Sequence, residues 1–442
     1  MKTLSTLLFF LISGGLFAQE TLLQSGPMVG YSTMREVALW VQTTEPARVD
    51  IRYWDKESPS TSYRTNVVLT EKAKAYTAHL VADEVLPGKV YGYEVRINGR
   101  EVPRDYLLEF KTQPLWQWRT DAPDFTFAMG SCAYVNEPEF DRPGKPYGSN
   151  YQIFGAIHQD RPDFMLWMGD NTYLREADWN SRTGIHHRYT HTRSLPELQP
   201  LLGSTHHYAT WDDHEFGPND AVRTFWNREL TKEAFGLFWA NPNQGVDGGE
   251  GITSTFSWHD VQFFMMDDRW YRSMKTLPED ERQMLGEGQI AWLLEALRFS
   301  NATFKCVVVG SSVLNPQAQH ETYANYAQEQ ERLLSALQDA DIPGVVFFSG
   351  DVHHSEMVKM EREGTYPLYE VVVSPLTAGI SVPKENNPLM VPNTLVTEHN
   401  YGLVRVEGKS GKRKMVIMIK NTEGKTLWER EILAESLRPE GR

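Results

Sequence analysis

The sequence predicts an α/β fold, with a β-sandwich over residues 22–113 placed ahead of a larger α/β domain over residues 123–435. Three observations predict it. Residues 26–111 give short alternating runs (37–42, 49–53, 63–69, 76–81 and 90–97), separated by turn residues such as Asp55, Pro59, Pro87-Gly88 and Asn98-Gly99. That spacing is typical of an immunoglobulin- or fibronectin-like sandwich. From Asp124 onward, apolar strands alternate with helical patterns at 151–159, 228–240, 287–299 and 327–340, and a strand-rich portion (369–373, 402–407, 414–420) implies a mixed sheet near the C-terminus. Finally, three clusters rich in Asp and His each follow a short apolar run (164–168, 208–210, 345–349), where a buried strand ends and the chain turns. Ligands of open α/β sheets bind at the carboxyl ends of strands, so the three clusters are expected to meet in one polynuclear metal site.

The flanks are less structured. Lys2, an apolar core over residues 7–12 and small residues before Gln19 have the pattern of a secretory signal over residues 1–18. The apolar stretch is too short to span a bilayer, no later run is long enough, and no Cys lies near the cut after Ala18 to carry a lipid. The chain is therefore expected to be exported, periplasmic or secreted, without a transmembrane segment. With 44 basic and 58 acidic residues the net charge is −14. Losing Lys2 with the leader leaves 43 − 58 = −15, which argues against nucleic acid as a partner. The segment 114–123, with Trp116 and Trp118, reads as a linker that packs. Of the two cysteines, Cys306 opens a Val run and reads as a core thiol; pairing with Cys132 is the alternative.

The chemistry lies in four short segments. Asp170 and Asp351 each follow a Gly, which permits a sharp turn that aims a carboxylate into a cleft; a plain turn is the bland reading of either one alone. Asp212, Asp213 and His214 are consecutive, so on extended backbone only some can face one metal. Asp213 and His214 are placed in the cleft, with Asp212 orienting neighbours. His353 and His354 pose the same problem, and one of them is expected to face solvent or a neighbour. The pairs His186-His187 and His206-His207 lack a carboxylate pattern and carry no site.

Gly130-Ser131-Cys132, Gly169-Asp170-x-x-Tyr173, Trp211-Asp212-Asp213-His214-Glu215 and Gly350-Asp351-x-His353 occur in this order. They are joined by Asp267-Asp268-Arg269-x-Tyr271-Arg272, Leu285-Gly286-x-x-Gln289-x-x-Trp292-Leu293 and Val373-Ser374-Pro375-Leu376-Thr377. Over roughly residues 26–420 the chain resembles the PhoD-type alkaline phosphatases, a branch of the calcineurin-like metallophosphoesterases. The resemblance implies a four-layer sandwich of two mixed sheets flanked by helices. It also implies an Fe3+ and Ca2+ site, with Cys132, Tyr173, Asp170 and His353 on iron, Asp170 bridging, and Asp213 and Asp351 on the oxygen-rich side, which would also suit Mg2+ or Mn2+. Iron makes sense of thiolate and phenolate ligands, because a Lewis-acidic ion drives their deprotonation.

The implied activity is hydrolysis of a small phosphate ester, monoester or diester, by in-line attack of a metal-bound hydroxide. His214 is the candidate transition-state stabiliser or leaving-group acid, with a structural hydrogen bond to Asp212 as its bland role. Arg269 is a candidate phosphate clamp, or the partner of Asp267 or Asp268. Asn219, in a segment where family members often show acidic and Asn-rich residues, and His354 are candidate substrate contacts. Trp179, Trp211, Trp226, Trp239, Trp258 and Trp270 raise the prospect of an apolar leaving-group pocket. A phospholipase-like diesterase would share every ligand, whereas a noncatalytic binding protein should have lost one.

Overall fold

Strand residues alternate between two destinations, and that alternation builds the layers. In Phe164–Met168 every residue is buried, yet Phe164, Leu166 and Met168 enter the core between two large sheets. Met165 and Trp167 pack outward under helices, as the period-2 geometry of a strand covered on both faces requires. The structure, a computed structural model, describes residues 22–439; the expected leader over residues 1–18 lies outside the described residues.

A nine-stranded mixed sheet runs in the spatial order Thr426–Leu433, Lys414–Asn421, Asn400–Glu407, Phe125–Gly130, Phe164–Met168, His206–Thr210, Leu23–Ser32, Val37–Thr43, Thr77–Ala82. Facing it, a six-stranded sheet runs Ser254–Trp258, Val261–Met265, Phe304–Val308, Val345–Ser349, Leu368–Val372, Glu356–Met360. Phe127, Phe164 and Tyr208 from the first sheet meet Phe256, Phe263 and Phe348 from the second, with Phe127 and Phe164 stacked at 5.0 Å. Helices Gln152–Gln159, Arg182–Arg193 and Arg228–Phe238 cover the outer face of the first sheet through Ile153, Ile157, Ile185, Tyr189, Phe235 and Phe238. Helices Glu287–Phe299 and Ala327–Asp339 cover the second through Leu293, Leu297, Leu333 and Leu337, positions four apart in each helix that fall on one helical face. This is the four-layer arrangement.

The N-terminal sandwich forms around Val41, Ile51, Leu80, Tyr93 and Val95, but it is not separate. Its Leu23–Ser32, Val37–Thr43 and Thr77–Ala82 strands are the end of the nine-stranded sheet, with Val29 opposite His206 in parallel register. His206 fastens the seam: Nδ1 donates to the Gly30 carbonyl at 2.8 Å and Nε2 accepts the Lys111 N–H at 3.1 Å. That tautomer is neutral, consistent with burial lowering its pKa to about 4.

Several local expectations differ. The run at 63–69 is two short pieces, Tyr63–Arg64 and Val68–Leu69, both paired to Arg48–Asp55. Leu23–Ser32 is a strand despite Gly26, Pro27 and Gly30; a side chain at Gly30 would meet Ala240 Cβ at 2.5 Å, so close packing demands the glycine. Arg182–Arg193 is a helix with few apolar residues, because part of its buried face is Arg188, paired with Glu137 and Asp178. In the linker, Trp118 is fully exposed, so it does not pack as expected.

Candidate metal centre

Four strand ends converge, and backbone hydrogen bonds stitch their loops together. Cys132 N–H donates to the Gly169 carbonyl (3.2 Å), Ala133 N–H to that of Asp170 (2.8 Å), Leu174 N–H to that of His214 (3.0 Å) and Gly350 N–H to that of Gly310 (2.9 Å). Cys132, Asp170, Asp351 and His353 all adopt left-handed backbone, with φ of 58°, 52°, 68° and 60°. Each such non-glycine residue costs about 1–2 kcal/mol, and such residues cluster at functional sites. Gly169, at φ 95°, must lack a side chain, since a Cβ there would lie 2.6 Å from that of Asp212.

The Trp211 to Glu215 segment is one helical turn, Asp213–Phe216, rather than extended backbone. Asp212 is its N-cap, and Glu215 completes a capping box. Glu215 accepts N–H groups from Asp170 (2.8 Å), Asn171 (2.5 Å) and Asp212 (3.2 Å). This buried carboxylate is the pin that sets the Asp170 loop against the Asp213 turn.

Donor atoms gather in groups that share one residue. Those of Cys132, Asp170 and His353 lie within 4.8 Å of one another, as do those of Asp170, Asp213 and His214, and those of Asp170, Asp212, Asp213 and Asp351. Cys132 Sγ is 3.8 Å from Asp170 Oδ2, and the Tyr173 hydroxyl is 3.4 Å from His353 Nε2. Asp170 is thus the junction between a sulfur-, phenol- and imidazole-lined side and a carboxylate-lined side. Asp213, Asp220 and Glu321 form a further group. Asp220 and Glu321 were missed in the sequence because neither follows a strand within a recognisable pattern.

The electrostatics call for cations. Burial, reinforced by the charges of Asp213, Cys132, Asp212 and Glu215, pushes Asp170 well above the usual carboxylate range. Burial with Glu321, Asp213 and Cys132 does the same to Asp351. Burial raises the Tyr173 phenol and the Cys132 thiol, the latter against hydrogen bonds from Ser374 (3.2 Å) and Ser131 (3.5 Å). Burial also opposes ionisation of Asp213, but the charges of His214 and Arg269 and the Asp220 N–H (2.6 Å) hold it low. Burial lowers His214 to about 4. Asp212 Oδ2, Asp213 Oδ1 and His214 Nδ1 are buried without a hydrogen-bond partner. Buried polar atoms are ordinarily satisfied, so these residues fit metal ions: thiol, phenol and imidazole suit a transition metal and the carboxylates a hard cation.

The remaining candidates fall elsewhere. Arg269 is fully buried and pairs with Asp212 and Glu321, with Asp268 at 3.8 Å. It also donates to Ser311 and to the Ala221 carbonyl, so it is the ion-paired alternative and not an open phosphate fork. His214 makes no hydrogen bond to Asp212; its ring lies on that of Tyr173, centroids 4.2 Å apart. Asn219 is exposed and bonded to Asp220 (2.6 Å). His354 is tied to the carbonyl of Val352 at 3.0 Å and belongs to none of the donor groups. Trp211, Trp239, Trp258 and Trp270 are core residues, Trp179 is half-buried against the same core as Trp211, and Trp226 is exposed. Cys132 and Cys306 are both free thiols; the disulfide alternative falls because Cys306 sits within the Phe304–Val308 strand, in the inter-sheet core.

Residues 127–415 match the model of the PhoD-like phosphatases. The chain belongs to that family. Residues 20–114 match a domain of unknown function, DUF7800. Alkaline phosphatase D of Bacillus subtilis (strain 168) is 24% identical over 339 residues, which are 65% of this chain and 55% of that protein. The match thus spans little more than half of that relative's length. Among solved structures, PhoD superposes with a TM-score of 0.73 at 18% identity, covering 95% of this chain and 92% of PhoD. The purple acid phosphatase PPD1 from yellow lupin (Lupinus luteus) seeds follows at 0.66 and 13%, covering 92% of this chain and 74% of the plant enzyme. Both share the metallophosphoesterase fold. No helix among the described residues is long and apolar enough to cross a membrane.

Proposed function

We propose that the protein is an exported, metal-dependent phosphoric ester hydrolase of the alkaline phosphatase D type. The observation that carries this reading is Asp170: one carboxylate shared between the Cys132, His353 group and the Asp213, Asp351 group. Cys132, Tyr173, Asp170 and His353 would hold iron, while Asp170, Asp213 and Asp351 would hold calcium or a similar hard cation. Bound there, the pair of ions would bind phosphate oxygens and lower the pKa of water.

The chain's own residues do the rest. His214, whose pKa burial lowers to about 4, has an unengaged ring nitrogen and can hydrogen-bond a phosphate oxygen. Ser374 positions two ligands, donating to Cys132 Sγ and accepting the His353 N–H at 3.1 Å. Arg269 acts through Asp212, neutralising it at the base of the cleft. Asn219 and His354, which belong to none of the donor groups, would contact the substrate rather than the cations.

Metal analysis of the purified protein, with hydrolysis of an aryl phosphate monoester and an aryl diester before and after chelation, tests the reading. Near-stoichiometric iron with a visible charge-transfer band, lost in Cys132→Ala and Tyr173→Phe, is expected. An iron-free protein whose activity ignores chelator would overturn the ligand assignment.

A further inference from the structure

Arg175 stands apart from the other buried arginines. It is 6% exposed and lies two residues past Tyr173. Its backbone N–H donates to Asp178 at 2.8 Å and its Nε to the Tyr134 hydroxyl at 3.1 Å. Tyr134 in turn donates to Asp141. Among the described residues neither Nη group of Arg175 has a hydrogen-bond or ion-pair partner, although Arg188, Arg269, Arg272 and Arg413 are all ion-paired. Arg193, which also lacks a carboxylate, donates to the Phe238 carbonyl and Met28 sulfur.

The free end of Arg175 belongs to the cleft. Its guanidinium carbon sits 4.5 Å from the ring centre of Tyr134, 5.8 Å from that of Tyr147 and 5.6 Å from that of Tyr173. Tyr147 meets His353 Nδ1 at 3.4 Å, and Tyr173 lies on His214. Three phenol rings therefore hold a planar cation at the Cys132, His353 side of the centre, with its unused donors left for an anion. Among the described residues no carboxylate lies within ion-pair distance of this guanidinium, although it acts on the charge of Glu176, and its two-pronged geometry matches a phosphoryl group.

We propose that Arg175 is the residue that grips the nonbridging oxygens of the substrate's phosphoryl group, and that it biases the site toward phosphomonoesters. A monoester dianion carries about twice the charge of a diester monoanion into contact with this cation, so it gains more from it. The inference rests on the phosphoric ester hydrolase reading given above.

Its test uses the metal-loaded protein and the Arg175→Gln and Arg175→Lys variants. Calorimetric binding of inorganic phosphate is measured together with kcat/KM on an aryl monoester and an aryl diester. Removing a charge-assisted hydrogen bond typically weakens binding about tenfold or more. Arg175→Gln should raise the phosphate Kd and lower the monoester-to-diester ratio by about that factor, with metal content unchanged. Arg175→Lys, which keeps the charge and loses the fork, should fall between. Equal losses on both esters with falling metal content would mark a merely structural residue and overturn the proposal. So would an unchanged phosphate Kd in Arg175→Gln or, if that variant does not fold, in Arg175→Lys. A wild-type protein that binds phosphate but hydrolyses neither ester would instead sink the hydrolase reading and leave Arg175 as an anion site.

Discussion

Two arginines border the same cleft and have opposite surroundings. Arg269 is surrounded by Asp212, Asp268 and Glu321 and shares Glu321 with Arg272; Arg175 lies against three tyrosines with its Nη donors unengaged. Residue type and motif position favoured Arg269 as the phosphate ligand. Saturation separates the two: a buried ion whose valences are filled holds the structure, and one whose valences are open is available to a ligand. The carboxylates divide in the same way. Asp212 is paired with Arg269, whereas Asp170 and Asp351 have no ion-pair partner among the described residues.

Substitutions at both ends of this contrast sharpen it. The largest expected effect is at the open end: Asp170→Asn should lower kcat/KM by about a thousandfold or more, since one change disturbs both donor groups, and elemental analysis should show metal lost. At the closed end, Arg269→Met should leave Asp212 buried and unpaired, with Glu321 held by Arg272 alone, and reduce unfolding free energy by about 3–5 kcal/mol in urea titrations. Arg175→Gln should change stability by about 1 kcal/mol or less. Comparable losses in the two would break the distinction.

A smaller effect comes from histidines that are closed off in the same sense. Burial lowers His207 to about 3 and His206 to about 4. Below the unfolded value of about 6.5 the unfolded chain binds protons that the folded chain refuses, so stability is complete above that pH and declines as pH falls. Each contributes a slope of about 1.4 kcal/mol per pH unit. In His207→Gln the fall in stability between pH 6 and pH 5 should shrink by about that amount. The smallest effect is at Cys306: because both thiols are free, dithiothreitol should leave the Tm unchanged, and a drop of several degrees would reveal a disulfide.

Much of this was legible in the chain. Helix Glu287–Phe299 and the strands ahead of Asp170 and Asp351 fall where their apolar patterns place them, because period and burial agree there. The donor groups were legible because each follows such a strand. Leu23–Ser32 was hidden by Gly and Pro that serve close packing, and Arg182–Arg193 by charged residues neutralised inside the fold. Arg175 and Glu321 were invisible for a further reason: their meaning depends on which partners tertiary structure brings to them or withholds.

The shared sheet has a practical consequence. Family models part near residues 114–127, yet hydrogen bonding runs unbroken from Thr77–Ala82 to Thr426–Leu433. A chain shortened to begin at residue 123 would bare the edge of His206–Thr210, which carries the Asp213 turn at its end, and would leave His206 without Gly30 and Lys111. Such an uncovered edge invites pairing with another molecule. The N-terminal module is thus a lateral guard for the sheet that carries the site, and the shortened chain is expected to aggregate before it can be assayed.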